Sequence, residues 1–303
     1  MIAPSERATR RLAPHVPGRP PDHTIVRPMT LDPIAPSRRR RRLLIASVTL
    51  TLAIPLAIIA SLLGVSVIPA VVIAAALGLI GTSLLSSRSQ DAVLTVTGAR
   101  ELGEDESPRL SGLVEGLCLT SGVEAPMLYA IDAETPNALI ARHGDERASL
   151  IVTTGLLRTL SRIEMEGVVA HLIARLKRRE VRVATAAVLL AAGPFHAAER
   201  TGSVASFLAT LLRPLRALSI RLRLAVCPPA AVMHADVDGV GITRYPPGLI
   251  SALERISDTP SAPLPGSAST AQLWLVEPLA LAGAAGSGTH PPLDERIALM
   301  REL

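Results

Sequence analysis

Lysine is nearly missing from this chain. Lys177 is its only one, although 31 basic residues stand against 26 acidic ones. Replacement this complete, beside so much alanine, reads as base composition rather than chemistry. Aromatic residues are 2% of the 303, which leaves no stacking surface for single-stranded nucleic acid. A net charge of +5 and a pI near 10.1 therefore do not by themselves argue for a nucleic-acid partner. The two cysteines, Cys118 and Cys227, are too few to staple a chain of this length, which excludes a disulfide scaffold. Charged residues are also scarce, at 19% where soluble domains carry about 25%. Hydrophobic residues reach 49% and the mean hydropathy is +0.39. Whole-chain disorder is excluded, and some apolar length is expected to face lipid.

Residues 1–37 carry prolines at 4, 14, 17, 20, 21, 28, 33 and 36 with arginines between them and no apolar periodicity. Such a stretch buries too little surface to offset its ordering entropy, so it reads as a disordered cytoplasmic tail. No apolar region follows the start, so it does not read as a signal peptide. Five consecutive arginines, Arg38 to Arg42, then abut an uncharged run from Leu43 to Ser87. One membrane-spanning helix needs roughly 20 residues, so residues 38–88 read as a hairpin of two spans, about 43–63 and 69–86. The break falls near Gly64–Pro69. The arginines orient it by the positive-inside rule, with the tail and everything after Arg88 cytoplasmic. This places the chain in the inner membrane as a multi-pass protein with the lipid bilayer as a partner.

Beyond Gly98 the pattern becomes globular. Ser107-Pro108 is an N-cap with proline at the first helical position. Leu110, Leu113, Val114, Leu117 and Cys118 then recur at helical spacing, so Cys118 reads as core. Strand-like runs lie at Met127 to Ile131, Ala138 to Ala141 and Ala148 to Thr153. Ser161-Arg162-Ile163-Glu164 is a capping box that opens a helix to about Arg179. Residues 183–224 form an apolar hairpin decorated by arginines, which suits either an interfacial or a spanning pair. Val232 to Val240 and Pro247 to Ile256 read as helices, 258–288 as mostly loop, and Leu293 to Leu303 as a last helix.

The order of these pieces resembles the HtpX-type integral-membrane zinc metallopeptidases, relatives of the CAAX prenyl proteases. The resemblance covers roughly residues 91–303. It rests on Ser107-Pro108-Arg109-Leu110, Asn137-Ala138, Val152 to Leu157, Glu164 to His171, Ala235-Asp236, Leu249 to Leu253 and Thr289 to Ile297. It implies an α+β fold: a helix-dominated, gluzincin-like metallopeptidase domain with a small sheet, behind the N-terminal transmembrane hairpin. It also implies an edge strand at Asn137, Ala138, Leu139 and Ile140 that either takes an extended client as an added strand or only completes the sheet.

The family's chemistry uses H-E-x-x-H on a helix, two histidines holding zinc and a glutamate polarising a bound water. A glutamate four residues before an aspartate on a later helix is the third ligand. Here the first stretch reads His171-Leu172-Ile173-Ala174-Arg175, and the second Val232-Met233-His234-Ala235-Asp236. His171 matches the first ligand. Leu172 stands at the general-base position, and Arg175 and Val232 stand at the other two ligand positions. Leucine accepts no proton, valine offers no donor, and arginine has donors only. At roughly 3 Å and an effective dielectric of about 20, its charge would repel a dication by of order 10 kcal/mol.

His234 lies about 200° around the helix from Val232. His143 falls on a turn, His290 precedes the last helix, and His15, His23 and His196 lie in the tail or an apolar stretch. None has ligand spacing. Asp236 occupies the place of a partner that orients the first histidine, so a His171–Asp236 contact tying two helices is expected, with Arg175 as a further charge partner of Asp236. The expected function is a catalytically inactive, membrane-anchored homologue that binds or scaffolds membrane-protein or peptide clients in quality control. No cofactor is expected on that reading. The alternative is an active membrane zinc endopeptidase that degrades misfolded membrane proteins.

Overall fold

The computed structural model describes residues 89–188 and 224–303, with short breaks at 104, 143–146, 179–180, 226 and 285, and scattered positions between 46 and 76. These residues belong to one unit, Pro33–Leu303. The tail, the arginine run, most of both expected spans, His15, His23, His143 and His196 lie outside the described residues. Where the break between the spans is expected, Gly64 has a left-handed backbone (φ 78°) and donates its N–H to the Ser61 carbonyl. Among the described residues, no helix is long and apolar enough to cross a membrane.

In chain order the elements are α1 (Ser89–Thr97), β1 (Arg100–Glu101), α2 (Pro108–Ser121), β2 (Met127–Ile131), β3 (Ala138–Ala141), β4 (Ser149–Thr153), α3 (Thr154–Thr159) and α4 (Arg162–Lys177). A helical stretch, 181–188, comes before α5 (Ala230–Thr243) and α6 (Pro246–Asp258), and α7 (Leu293–Arg301) closes the chain. The four strands form one sheet in the order β1-β2-β4-β3, parallel between β2 and β4 and antiparallel elsewhere. All five β4 residues and all four of β3 are buried. Successive strand side chains point to opposite faces, and here both faces are covered. Ala138, Ile140, Leu150 and Val152 join the main core with α2, α4 and α6. Leu139, Ala141 and Ile151 join a second cluster with Val93, Ala184, Val188 and Trp274. A short β-branched run buried on both sides is the composition such a strand requires.

α1 and β1 are elements the apolar pattern does not show. α1 is held by Gln90, whose side-chain amide donates to the Arg147 carbonyl (3.0 Å) and to Ser149 Oγ (2.8 Å). Ser107 begins α2 through its carbonyl, which takes the N–H groups of Leu110 and Ser111; its hydroxyl makes no cap bond. Cys118 is core, and burial pushes its thiol up to about 11. Of the apolar hairpin expected at 183–224, residues 189–223 lie outside the described residues. Its helical beginning packs on the domain, with Ala184 and Val188 in the second cluster.

α4 is the axis of the domain. Its capping box forms as expected, the Ser161 N–H donating to Glu164 Oε2 (2.7 Å) and the Ser161 side chain accepting from the Glu164 N–H. The other carboxylate oxygen of Glu164 accepts from Arg255 on α6 at 2.9 Å. From Gly167 to Leu176 every residue is buried, as in a helix surrounded on all sides. Two glycines let its neighbours close in. A Cβ at Gly167 would lie 2.6 Å from the Leu249 nitrogen, and one at Gly239 would lie 2.8 Å from the His171 Cα. The backbones of α4 and α5 therefore touch at the residue on which the site is built. Gly239→Ala should destabilise the fold by roughly 1–3 kcal/mol, the usual cost of overpacking. Chemical denaturation will show it as a lowered midpoint, and an unchanged midpoint would mean the helices do not meet there.

Candidate functional site

The site begins with a carboxylate that folding strips of water. Asp236, on the second turn of α5, is fully buried, as is His171 on α4. His171 Nδ1 lies 2.8 Å from Asp236 Oδ1, although the ring N–H is not well aligned on that oxygen. The cation on Asp236 comes from α7. Arg296 donates from Nε to Oδ2 (2.7 Å) and from Nη2 to Oδ1 (2.8 Å), a bidentate fork, and from Nη1 to the Leu275 carbonyl (2.8 Å). Paired charge-assisted bonds of this kind are the strong ones. Burial alone would raise the Asp236 pKa, but Arg296, and after it His171, hold it down to about 2.

Arg175, expected as a further charge partner of Asp236 beside His171, is corrected by the structure: it donates to backbone carbonyls. One turn past His171, its Nη2 donates to the Gln272 carbonyl at 2.5 Å. Its Nη1 donates to the carbonyls of Leu273 (2.6 Å) and Trp274 (3.2 Å). Leu172 faces the main core with no exposure, and Val232 is buried on the first turn of α5. The stretch expected to be mostly loop, 258–288, contains helical turns at Ser267–Thr270, Ala271–Leu273 and Pro278–Leu281, and residues 272–276 lie along β3. Trp274 forms an antiparallel bridge with Leu139, and the Leu275 N–H donates to the Ala138 carbonyl at 2.7 Å. Asn137 Nδ2 donates to the Val276 carbonyl at 2.8 Å, and its Oδ1 accepts the Val276 N–H at 3.3 Å. The Arg142 N–H is taken by Thr185 Oγ1 at 3.0 Å. The edge at Asn137, Ala138, Leu139 and Ile140 is thus covered by the chain itself, where the resemblance implied an open one.

Two residues of the cluster carry no motif that marks them in the sequence. Arg296 lies three residues past Leu293 and four before Met300, in the middle of the apolar face of α7. An arginine on such a face signals a buried ion pair. His290 has no ligand spacing in the sequence, yet its Nε2 lies 2.8 Å from the Trp274 carbonyl and its Nδ1 3.0 Å from Thr289 Oγ1. With Glu277, Leu293 and Arg296 it lines a cavity of about 310 Å³. His234 points elsewhere, its Nδ1 2.7 Å from the Ala230 carbonyl. Burial, reinforced by Arg296 and Arg175, holds both His171 and His290 below the ordinary imidazole range, so both rings are neutral.

Neither ring nitrogen of His171 makes an aligned hydrogen bond, but Nδ1 lies against the Asp236 carboxylate, which leaves Nε2 as the nitrogen open to a further ligand. A zinc ion would bind there first. It would find no second ligand on α4, where Arg175 brings a fixed positive charge, and none on α5, where Val232 stands. Among the described residues, no three His, Cys, Asp or Glu side chains converge as a metal site requires. The donor set does not fit zinc.

A helical bundle carrying a four-stranded sheet, with a capped central helix whose histidine meets an aspartate on the next long helix, defines a metallopeptidase-type domain. The chain belongs to peptidase family M48, which residues 104–303 match. It is similar to the Protease HtpX homolog of Dictyoglomus turgidum, 34% identical over 71% of this chain and 75% of that relative. The Protease HtpX homolog of Thermococcus sibiricus is 32% identical over 71% and 80%, and that of Streptococcus gordonii 27% over 75% and 84%. No solved structure matches the chain.

The neutral histidines make stability pH-dependent. Unfolded, each imidazole takes a proton below about 6.5, while folded it resists, so stability falls on acidification by up to about 1.4 kcal/mol per pH unit for each. The Asp236 contribution is complete above about 3.9 and disappears only as the pH drops through about 2. The denaturation midpoint should therefore fall from pH 7 to pH 5, and less steeply in His290→Gln; equal slopes would remove His290 from the account. Arg296→Met should cost roughly 3–5 kcal/mol by leaving Asp236 charged and half-partnered. Adding Asp236→Asn should recover part of that loss.

Proposed function

We propose that this chain is a catalytically inactive member of family M48 that acts by binding or scaffolding rather than by hydrolysis. The observation that carries this is the donor set around His171. One imidazole nitrogen remains, the second ligand position holds a guanidinium committed to backbone carbonyls, and Leu172 takes the place of the base within the core. Neither a metal nor an activated water has the residues it needs.

The same proposal places the chain in the inner membrane. Its support is the uncharged run 43–87 behind five arginines, long enough for two spans and oriented so that residues 91–303 face the cytoplasm. A membrane-tethered domain with this scaffold suits contact with membrane-protein or peptide clients in quality control. The competing reading, an active zinc endopeptidase, is favoured by the protease names of its relatives. It requires ligands at positions 175 and 232 that this sequence does not supply.

Metal analysis separates the two. The purified full chain should carry no zinc above background and leave casein intact. Zinc removable by a chelator, with casein cleavage lost alongside it, would establish the enzyme instead. The combined variant Leu172→Glu, Arg175→His, Val232→Glu restores the missing groups and should bind zinc where the natural chain does not.

A further inference from the structure

The edge of β3 is filled from within. A strand at the edge of a sheet presents unpaired N–H and C=O groups that invite another segment to add on. Here residues 272–276 have taken that place. The Leu275 N–H meets the Ala138 carbonyl, Trp274 bridges Leu139, and both polar atoms of the Asn137 amide hold Val276. The Trp274 side chain, wholly buried, sits in the cluster beyond the sheet and donates its indole N–H to Thr270 Oγ1 at 2.9 Å. Backbone pairing and an anchored side chain that sets the register are the two parts of strand addition.

A third part is peculiar to the residue at 175. A segment laid over a sheet edge leaves carbonyls that the sheet does not take, and buried carbonyls must find donors. Arg175 supplies them to Gln272, Leu273 and Trp274 together, with a rigid multi-donor fork that a single imidazole cannot match. We propose that residues 272–276 are a built-in strap closing the β3 edge to any added peptide, and that Arg175 is its clamp. The proposal rests on the reading that position 175 no longer serves a metal. Because the strap is tethered, its effective concentration at the edge is on the order of millimolar or more, so a free client competes poorly. Clients, where they bind, engage another surface.

Trp274 is the only tryptophan, so its emission reports on the strap alone. The full chain and its Arg175→Ala and Arg175→Lys variants are compared by hydrogen exchange, tryptophan emission and binding of labelled, unfolded casein. In Arg175→Ala the Leu275 and Val276 amides should exchange roughly tenfold faster or more, the expected loss for a buried charge-assisted bond. Its emission should shift to the red and casein should bind, while α4 and α5 keep their protection. Arg175→Lys, a point donor, should fall between. The strap is refuted if Arg175→Ala keeps the natural protection and emission. It is refuted equally if the natural chain binds casein with protection lost at Leu275.

Should Arg175→Ala lose protection throughout α4, Thr270→Val frees the indole without touching the cation. It should give the same local exchange and red shift, and protection retained there would overturn the proposal. Zinc content of the same samples reports separately on the inactive-site reading: bound zinc beside an intact strap contradicts that reading and leaves the strap standing.

Discussion

Asp236 is sealed from bulk solvent, so the helices that meet over it supply the donors its charge requires. α4 brings His171, α7 brings Arg296, and α5 carries the carboxylate between them. A buried carboxylate is tolerated only when it is paired and hydrogen-bonded, and this requirement fixes the relative position of three helices far apart in sequence. It also explains why the closing helix returns to the centre of the domain instead of lying on its surface. Gly239 is part of the same arrangement, since only a residue without a side chain lets α5 come close enough to present Asp236 to His171.

From this centre the order spreads outward through arginine. Arg296 reaches beyond Asp236 to the Leu275 carbonyl, and Arg175 holds the three carbonyls before it. A stretch with little periodicity of its own is thereby given one path, from the helical turn at Ser267–Thr270 across β3 to His290. The cations act as hydrogen-bond donors to backbone as much as partners of a carboxylate. The donors of both guanidinium groups are thus spent on the chain itself.

Much of this was legible in the residues. The three main strands, the capping box at Ser161–Glu164, the long helices and the nearness of His171 to Asp236 all follow from local pattern or from the spacing of the family motif. What was not legible depends on tertiary partners. α1 has little apolar stripe and is fixed by Gln90 reaching Ser149, a contact between segments 59 residues apart. The strap at 272–276 shows neither strand nor helix period, because besides one short backbone pairing with β3 its bonds go to side chains at 137, 175 and 296. Arg175, one turn past His171, reads as a further charge partner of Asp236, yet Arg296 takes that carboxylate with a two-point fork. An arginine at a buried helical position announces a partner without saying which.

The hold of Arg175 on Gln272 and Leu273 also bears on which substitutions the fold tolerates. A histidine restored at 175 by itself would return at most one N–H, leaving at least one of these carbonyls bare in the interior, at a cost of about 1–3 kcal/mol. With Val232 at the remaining ligand position, it would still leave the ligand set incomplete. A histidine at 175 would therefore begin with a loss of stability, and the guanidinium works as a ratchet: once the fold leans on it for three carbonyls, a single change at that position is penalised before it can bring any gain.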